Sequence, residues 1–340
     1  MGATIPSRAV RKPTRRTEVG RGERVLPGVW RLRVPLPWPG VPHGNAWAVA
    51  AGDGIVLFDC GLGGRGPMRD LERALEQIGR QVEDVRLIVC THAHVDHCGQ
   101  AAALQARTGC ELWIHPRHEH LTARTGDPAA TLLRQIEIAR ASGVPEAPLR
   151  AWAERQRGSD TGMSGPLEPA RDLVEGVEVE TDLGTWRVIE TPGHAPSHVV
   201  LHLPERRLLI SGDHVLGRVS LYFDRGFSPD PVGEFLASLD RVADLDVRLT
   251  LAGHARPFTD LRGHVEGNRA LVAQRLDALR AALAGREATA FELLPDVFAA
   301  EYDPAGAQRL LVELLAYLDH LELAGEAVRG PGEPERWTAA

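Results

Sequence analysis

The sequence has few cysteines and a single lysine, Lys12. Its 4 cysteines contain no C-x-x-C pair, and they lie in or beside apolar runs at Cys60, Cys90, Cys98 and Cys110. A small extracellular scaffold depends on a denser set of paired cysteines. We therefore expect buried free thiols in the reducing cytoplasm, without a disulfide framework.

Long apolar runs are also missing. No stretch reaches the ~18 apolar residues of a membrane span, and the N-terminus lacks the apolar segment of a secretory signal. We therefore predict a cytoplasmic protein without membrane contact. Residues 1–22 are basic and contain two prolines, which would suit a nucleic-acid arm or a targeting segment. A flexible, solvated basic tail is the favoured interpretation.

The chain has no excess of positive charge. Its formal net charge of -7 would repel a phosphate backbone unless basic residues gathered on one face. We therefore expect a small-molecule substrate rather than a nucleic acid. The length of 340 residues, with 43% hydrophobic and 25% charged residues, predicts a globular protein with one large unit and a smaller appendage.

Strand and helix signals alternate along residues 23–265, the predicted main domain. Residues 45–64 are typical of a hairpin turned at Gly52-Asp53-Gly54 and followed by a Gly-rich loop. Residues 116–170 have the pattern of a helical insertion, and four short strands return over 177–213. This order favours an α/β sandwich of packed sheets over a simple doubly wound sheet.

Residues 266–340 are predicted to form a separate, mostly helical domain. Three amphipathic stretches precede two extended pieces around a Gly/Pro turn, which suggests a winged-helix-like arrangement. Its supposed recognition helix carries one basic residue, Arg309, and three acidic ones, Glu313, Asp319 and Glu322. This balance of charge is a poor match for the phosphates of a nucleic acid. We therefore expect a packing or dimerisation module, with a homodimer as a candidate assembly.

Residues 91–100, THAHVDHCGQ, place four metal-ligand side chains within six positions: His92, His94, Asp96 and His97. In an extended segment, residues two apart point to the same side, as His92, His94 and Asp96 would. His97 would rejoin them at a turn or a helix start. Imidazole nitrogen and carboxylate oxygen suit zinc and other first-row metals. The cluster therefore predicts the beginning of two metal sites.

The completing donors are expected at the ends of other strands. His194 follows a strand in ETPGHAPSH, Asp213 ends LLISGD, and His254 follows LTLAG. Each alone has an ordinary explanation as a turn histidine, a helix cap or an exposed loop residue. Their shared position after a strand instead indicates one site. His198 is expected to support a ligand or face the substrate, with pairing to the backbone as the slightly favoured alternative.

Together these residues resemble the metallo-β-lactamase superfamily over about residues 23–260, and H-x-H-x-D-H is similar to its binuclear hydrolases, such as hydroxyacylglutathione hydrolases, lactonases and RNA-processing nucleases. The resemblance implies an αββα four-layer sandwich with the site where strand ends meet. It implies that Asp59, in LFDCG, orients a ligand histidine. The implied ligands are His92, His94 and His194 on one metal, Asp96, His97 and His254 on the other, and Asp213 as the bridge.

The chain departs from the true β-lactamases, which have a cysteine ligand where Asp213 stands. That difference argues against antibiotic hydrolysis and for two metals that share a carboxylate. Two divalent ions are expected, zinc first, with manganese or iron as alternatives. Residues 266–340 also resemble the β-lactamase-associated winged helix found behind some members.

The predicted chemistry is hydrolysis by hydroxide that two metals generate, with Asp96 and Asp213 as the catalytic carboxylates. Because no basic clamp for glutathione is evident, the expected substrate is a carboxylic ester, thioester or lactone, in a glyoxalase-II-like reaction. Tyr222 and Phe223 are candidates to shape an acyl pocket, although aromatic residues more often belong to the core.

Other functions stay open at this point. A phosphodiesterase or endoribonuclease of the same fold is the main alternative, because the ligands alone do not separate carbon from phosphorus chemistry. An iron-dependent sulfur oxygenase would use the same histidine and carboxylate ligands. A DNA- or protein-binding module with a structural metal site is the alternative from another class.

Overall fold

The computed structural model describes residues 19–38, 40–217, 221–298 and 307–340. Residues 1–18 of the predicted basic tail lie outside this part of the chain. The first strand, β1, already begins at Arg21.

Within these described residues, twelve strands form the two large sheets. The first sheet has seven strands in sequence order: β1 (Arg21–Leu26), β2 (Val29–Trp38), β3 (Val41–Ala51), β4 (Gly54–Phe58), β5 (Val85–Val89), β6 (Glu111–Ile114) and β7 (Arg171–Asp172). The second has the order β12-β11-β10-β9-β8, made of β8 (Glu178–Thr181), β9 (Gly184–Glu190), β10 (Val199–Leu203), β11 (Leu208–Gly212) and β12 (Leu249–Ala252). Neighbours from β4 to β7 run parallel, as do β11 and β12.

Helices flank the sheets and form a C-terminal group. They are α1 (Arg65–Gln77), α2 (Val95–Cys98), α3 (Ala101–Thr108), α4 (Glu119–Gly126), α5 (Pro128–Ala141), α6 (Glu146–Gln156), α7 (Pro231–Ala243), α8 (Leu261–Leu283), α9 (Ala290–Val297) and α10 (Ala307–Leu323). Asp127, Asp230 and Asp260 each cap the helix that follows, because their side chains accept a backbone N–H of its first turn. In the described residues, no helix combines the length and apolar composition needed to cross a membrane.

Three hydrophobic cores alternate with the sheets. Leu32, Leu57 and Leu71 belong to the core between the first sheet and α1 and α3. The core between the two sheets contains Phe58 and Trp186, whose ring centroids are 5.4 Å apart. A third core joins the outer face of the second sheet to α7–α10. The predicted αββα sandwich is therefore confirmed, with helices, sheet, sheet and helices as its four layers.

The C-terminal group follows the predicted order of three helices and a hairpin, β13 (Ala327–Gly330) paired with β14 (Arg336–Ala339). Residue 265, where the sequence predicts a domain boundary, lies inside α8, and the third core continues through this helix. The division into domains and the winged-helix assignment stay predictions. All 4 cysteines are free, and Cys60, Cys90 and Cys98 are buried, as expected.

Candidate metal centre

The six-residue motif lies where a parallel strand gives way to a helix. β5 ends at Val89, the chain bends at Thr91 and His92, His94 has extended backbone angles, and α2 begins at Val95. Asp96 and His97 therefore belong to the first turn of a helix rather than to a strand. This turn returns the side chain of His97 to the side already occupied by His92, as the sequence predicts.

A first group of three histidines brings this motif together with the loop after β9. The Nε2 atom of His92 lies 3.0 Å from Nδ1 of His94, and Nε2 of His194 lies 3.1 Å from the same atom. Their donor atoms all lie within 4.8 Å of one another. We call these three residues the first triad.

A second group forms beside it from Asp96, His97 and His254, which we call the second triad. The His254 Nε2 atom lies 3.2 Å from Oδ2 of Asp96. Asp213, at the end of β11, stands between the triads. Its Oδ2 atom is 3.2 Å from His254 Nε2 and 3.9 Å from His194 Nε2. The structure thus brings all seven predicted ligand residues to one place.

The hydrogen bonds behind the five histidines determine which ring nitrogen carries the proton. His194 and His254 each direct Nδ1 at a backbone carbonyl, that of Tyr222 at 3.1 Å and that of His43 at 3.2 Å. A carbonyl only accepts, so both Nδ1 atoms must donate. Each Nε2 atom is then the nitrogen that faces the site and is available to a metal.

The histidines of the six-residue motif are supported by carboxylates, directly or through a hydroxyl group. His94 Nε2 lies 2.6 Å from Asp224 Oδ2, and His97 Nδ1 lies 2.9 Å from Asp59 Oδ2. The Thr91 hydroxyl donates to Asp59, so it accepts from His92 Nδ1, 3.0 Å away. All five histidines therefore direct toward the shared space the ring nitrogen that does not donate to a supporting group, and this nitrogen is the one available to a metal.

This donor set fits divalent metal ions. Nitrogen ligands at 2.0–2.1 Å in a tetrahedron stand about 3.3 Å apart, close to the separations within the first triad. With these tautomers, the facing nitrogens of His92, His94 and His194 have no proton between them that would form a hydrogen bond. His97 Nε2 and Asp213 Oδ1 are buried and have no hydrogen-bond partner among the described residues. A cation would satisfy each of these atoms.

Charge distinguishes the two triads. Burial lowers the pKa of His92 well below its ordinary value, and burial with the neighbouring His94 lowers that of His194 to about 4. Burial also lowers the pKa of His254, but Asp213 and Asp96 outweigh it and raise the value to about 10. Burial raises the pKa of Asp96, but His97 and His254 lower it to about 2. The second triad is thus the more strongly charged of the two.

Asp59 and His198 lie behind the ligand positions, not in the space between them. His198 is buried, its Nδ1 contacts the Thr191 hydroxyl at 2.8 Å, and its Nε2 accepts the backbone N–H of Asp213 at 3.0 Å. His198 therefore holds the main chain of Asp213. It pairs with the backbone, as the slightly favoured interpretation had it.

Several residues at the site were not identified from the sequence. Thr91 stands inside the quoted motif, where its place before His92 was a usable signal. Asp224 lies in a segment without a recognisable motif, and His43 is far away along the chain. Tyr222 was identified only as a pocket candidate, and its ring centroid lies 5.8 Å from those of His94 and His194. Phe223 is instead a core residue, fully buried.

A third set of donor atoms, from His94, His120 and Asp224, is also compact enough for a metal. Its His94 contact is the 2.6 Å hydrogen bond already described. Arg124 Nη2 stands 3.5 Å from Asp224 Oδ1 and already supplies a positive charge there. We therefore interpret Asp224 as the support of His94 rather than as a ligand.

Comparison with known proteins agrees with this geometry. The model of a family described as the metallo-beta-lactamase superfamily matches residues 39–254. A Bacillus subtilis protein named "Probable metallo-hydrolase YqjP" is 26% identical over 304 residues, which cover 87% of this chain and 92% of that protein. A Claviceps purpurea protein named atrochrysone carboxyl ACP thioesterase is 23% identical over 176 residues, 52% of this chain and 54% of that protein.

Two solved structures are similar over nearly the whole chain. A metallo-beta-lactamase family protein from Thermus thermophilus is 31% identical, with a TM-score of 0.78 over 93% of this chain and 100% of its own. A beta-lactamase domain protein from Burkholderia ambifaria is 30% identical, also with a TM-score of 0.78, over 94% of each chain. The similarity therefore includes the C-terminal helices.

Proposed function

This chain belongs to the metallo-beta-lactamase superfamily and is a metallo-hydrolase, and from that premise we propose that it hydrolyses a carboxylic ester, thioester or lactone with two divalent metal ions. The observation that carries the proposal is the position of Asp213 between two triads whose histidines all direct into the shared space the ring nitrogen that has no supporting group. One carboxylate within 4 Å of both triads suits a pair of ions rather than one.

The residues have distinct roles in this proposal. The first triad would hold one ion, the second triad the other, and Asp213 would contact both. Zinc suits this mixture of imidazole and carboxylate, and manganese or iron would fit the same ligands. When bound, two such ions make hydroxide available near neutral pH and stabilise negative charge that develops on the substrate.

The protein's own contribution is to fix the orientation and the tautomer or charge of these donor groups. Asp59, Asp224 and the carbonyls of Tyr222 and His43 fix the histidine tautomers, so no proton has to be relocated within those rings. Asp96 and Asp213 both have a lowered pKa because histidines surround them, which keeps the carboxylates ionised. Tyr222 lies against the first triad and is placed to contact the group that the substrate presents there.

Two observations favour acyl substrates over phosphodiesters. One is the thioesterase name of the Claviceps relative, although this chain spans only 54% of that protein. The other is α10, the supposed recognition helix. Its Glu313 is buried against Arg275 and Tyr317, and its Asp319 accepts from Arg225 and Arg329. A helix with charges engaged inside the protein offers little to a phosphate backbone.

The proposal is tested by initial hydrolysis rates of metal-loaded protein on a medium-chain acyl thioester and on a generic phosphodiester. Asp213→Ala serves as the blank, and its turnover is expected to fall by more than about 100-fold because a ligand should matter more than the residues that support ligands. Faster metal-dependent thioester cleavage supports the proposal. Faster phosphodiester cleavage favours the nuclease alternative, and full activity in Asp213→Ala would refute its bridging role.

The binding-module alternative has its own test. A gel-shift titration with duplex DNA at low and high salt would reveal the steep salt dependence that phosphate contacts produce. We expect no salt-dependent shift from the metal-loaded protein. A clear shift without any hydrolytic turnover would favour that alternative.

A further inference from the structure

The segment 221–230 supports two histidines of the first triad. The Tyr222 carbonyl accepts from His194 Nδ1, and the Asp224 backbone N–H donates to the His194 carbonyl at 3.1 Å. The Asp224 carboxylate accepts from His94 Nε2. The orientation of His94 and His194 therefore depends on the position of this segment.

The same segment is attached to the C-terminal helix α10. Arg225 donates two hydrogen bonds to the carboxylate of Asp319, the second of them from Nη2 at 2.9 Å. Asp230, at the other end of the segment, accepts from His320 Nδ1 at 2.9 Å. All four of these side chains are at most about one-third exposed, and the Arg225 and Asp319 side chains are 22% and 17% exposed. This geometry makes the Arg225–Asp319 pair the strongest polar connection between segment 221–230 and α10.

An aromatic contact completes the attachment. Phe223 and Tyr317 are both fully buried, and their ring centroids are 5.7 Å apart in an edge arrangement. Phe223 lies between Tyr222 and Asp224 in the sequence. Its burial against α10 therefore directs the carbonyl and the carboxylate on either side of it toward the triad.

We propose that α10 acts as a positioning element for the first metal triad, and that the Arg225–Asp319 pair transmits this effect through segment 221–230. The inference rests on the proposed metal site. It assigns to the C-terminal helices a role within the active site, in place of nucleic-acid recognition. Arg225 and Asp319 are positioning residues, because they contact neither the ligand atoms nor the space between the triads directly.

The second triad provides an internal comparison. Its histidines are supported from elsewhere: Asp59 accepts from His97, and the His43 carbonyl accepts from His254. Both supports come from the first sheet or its connections rather than from segment 221–230. Loss of the α10 attachment should therefore weaken metal binding at the first triad and spare the second.

Arg225→Met is the variant of choice. Asp319 would keep its hydrogen bond from Arg329, at 2.9 Å, so the substitution leaves no unpaired buried carboxylate. Arg225→Lys keeps the positive charge but cannot donate two parallel hydrogen bonds to the Asp319 carboxylate, as the guanidinium does. Arg262→Met is the matched control, because it removes an exposed pair with Asp244 of similar length, 2.9 Å.

The experiment measures zinc affinity of metal-free protein by competition with a chromophoric chelator, together with the visible spectrum of the cobalt-substituted protein. We expect Arg225→Met to lose about tenfold in affinity at one of two zinc sites, with an altered cobalt spectrum. Arg225→Lys should fall between Arg225→Met and the wild type. Arg262→Met should match the wild type at both sites.

Leu293→Ala distinguishes a general loss of stability from a loss of positioning. It removes buried atoms of α9 from the same core without changing the Arg225–Asp319 pair. If Leu293→Ala lowers zinc affinity as much as Arg225→Met, the positioning role is overturned. Equal zinc affinities in the wild type and Arg225→Met would also overturn it, while the proposed function would stand. A wild type that binds no divalent metal would overturn both.

Discussion

The carboxylate of Asp59 holds one histidine in each triad. Its Oδ2 atom accepts from His97 Nδ1 at 2.9 Å, and the same carboxylate accepts the Thr91 hydroxyl, which in turn accepts from His92 Nδ1. Thr91 also donates its backbone N–H to Asp59 at 2.8 Å. A single buried side chain between β4 and α1 therefore links the tautomers of both metal-binding groups.

Asp59→Asn should weaken both sites together. An amide carries one acceptor in place of two and adds an N–H that would oppose the donors already there. We expect zinc affinity to fall about 10- to 100-fold at both sites, with a parallel loss in kcat/KM. Chelator competition and initial rates would measure the two effects.

Asp53→Asn is the control for this substitution. Asp53 is 84% exposed in the β3–β4 turn, where it pairs with Arg86. The same chemical change should leave metal affinity unaltered there. Unchanged affinity in Asp59→Asn would show that Asp59 has no part in orienting the histidines.

The grouping of the seven candidate ligands could be predicted from the sequence because their signals are local. Four of them lie within six residues, and the other three follow strands whose ends meet at one edge of the sandwich. The spacing of two residues predicts that His92 and His94 share one site, and a helix start explains His97. Both depend on neighbours in the chain rather than on distant contacts.

The supports of the ligands could not be predicted in this way. Asp224 contacts His94 across 130 positions, and the carbonyl of His43 meets His254 across 211. No periodicity or motif encodes such pairs, since they arise when separate loops meet in the folded protein. The pairing of Glu313 in α10 could not be predicted for the same reason, because its partner Arg275 lies 38 residues away.

The lack of a side chain at Gly253 leaves room for the Asp213 carboxylate and the His97 ring. A side chain there would overlap the Asp213 carboxylate and come within 2.7 Å of the His97 ring. Gly253→Ala should therefore displace a ligand and reduce turnover by at least about tenfold. Because a carboxylate can move aside, the free energy of unfolding of the metal-free protein should fall by no more than about 1–3 kcal/mol.

Gly66→Ala is the matched control, because an added methyl group at this position in α1 meets nothing within 4 Å. Activity and zinc affinity should equal those of the wild type. Rates and urea unfolding of both variants would test the argument. Normal turnover in Gly253→Ala would show that the close approach has no functional importance.

Metal binding should release protons from the second triad. In the metal-free protein, Asp213 and Asp96 outweigh burial and raise the pKa of His97 well above its ordinary value and that of His254 to about 10. Both rings are then protonated at pH 7, and an ion must displace up to two protons, one from each. His92 and His194 have lowered pKa values and are already neutral.

The zinc affinity of the second triad should therefore depend on pH. Raising the pH from 7 toward 9 removes the competing protons, so apparent zinc affinity should rise at the second triad. At the first triad, His92 and His194 contribute no such rise, because both are deprotonated throughout this range. Titration calorimetry in two buffers of different ionisation enthalpy would count the released protons, and His254→Gln should lower the count by one. Two binding steps with equal, pH-independent affinities would contradict this assignment of charge to the second triad.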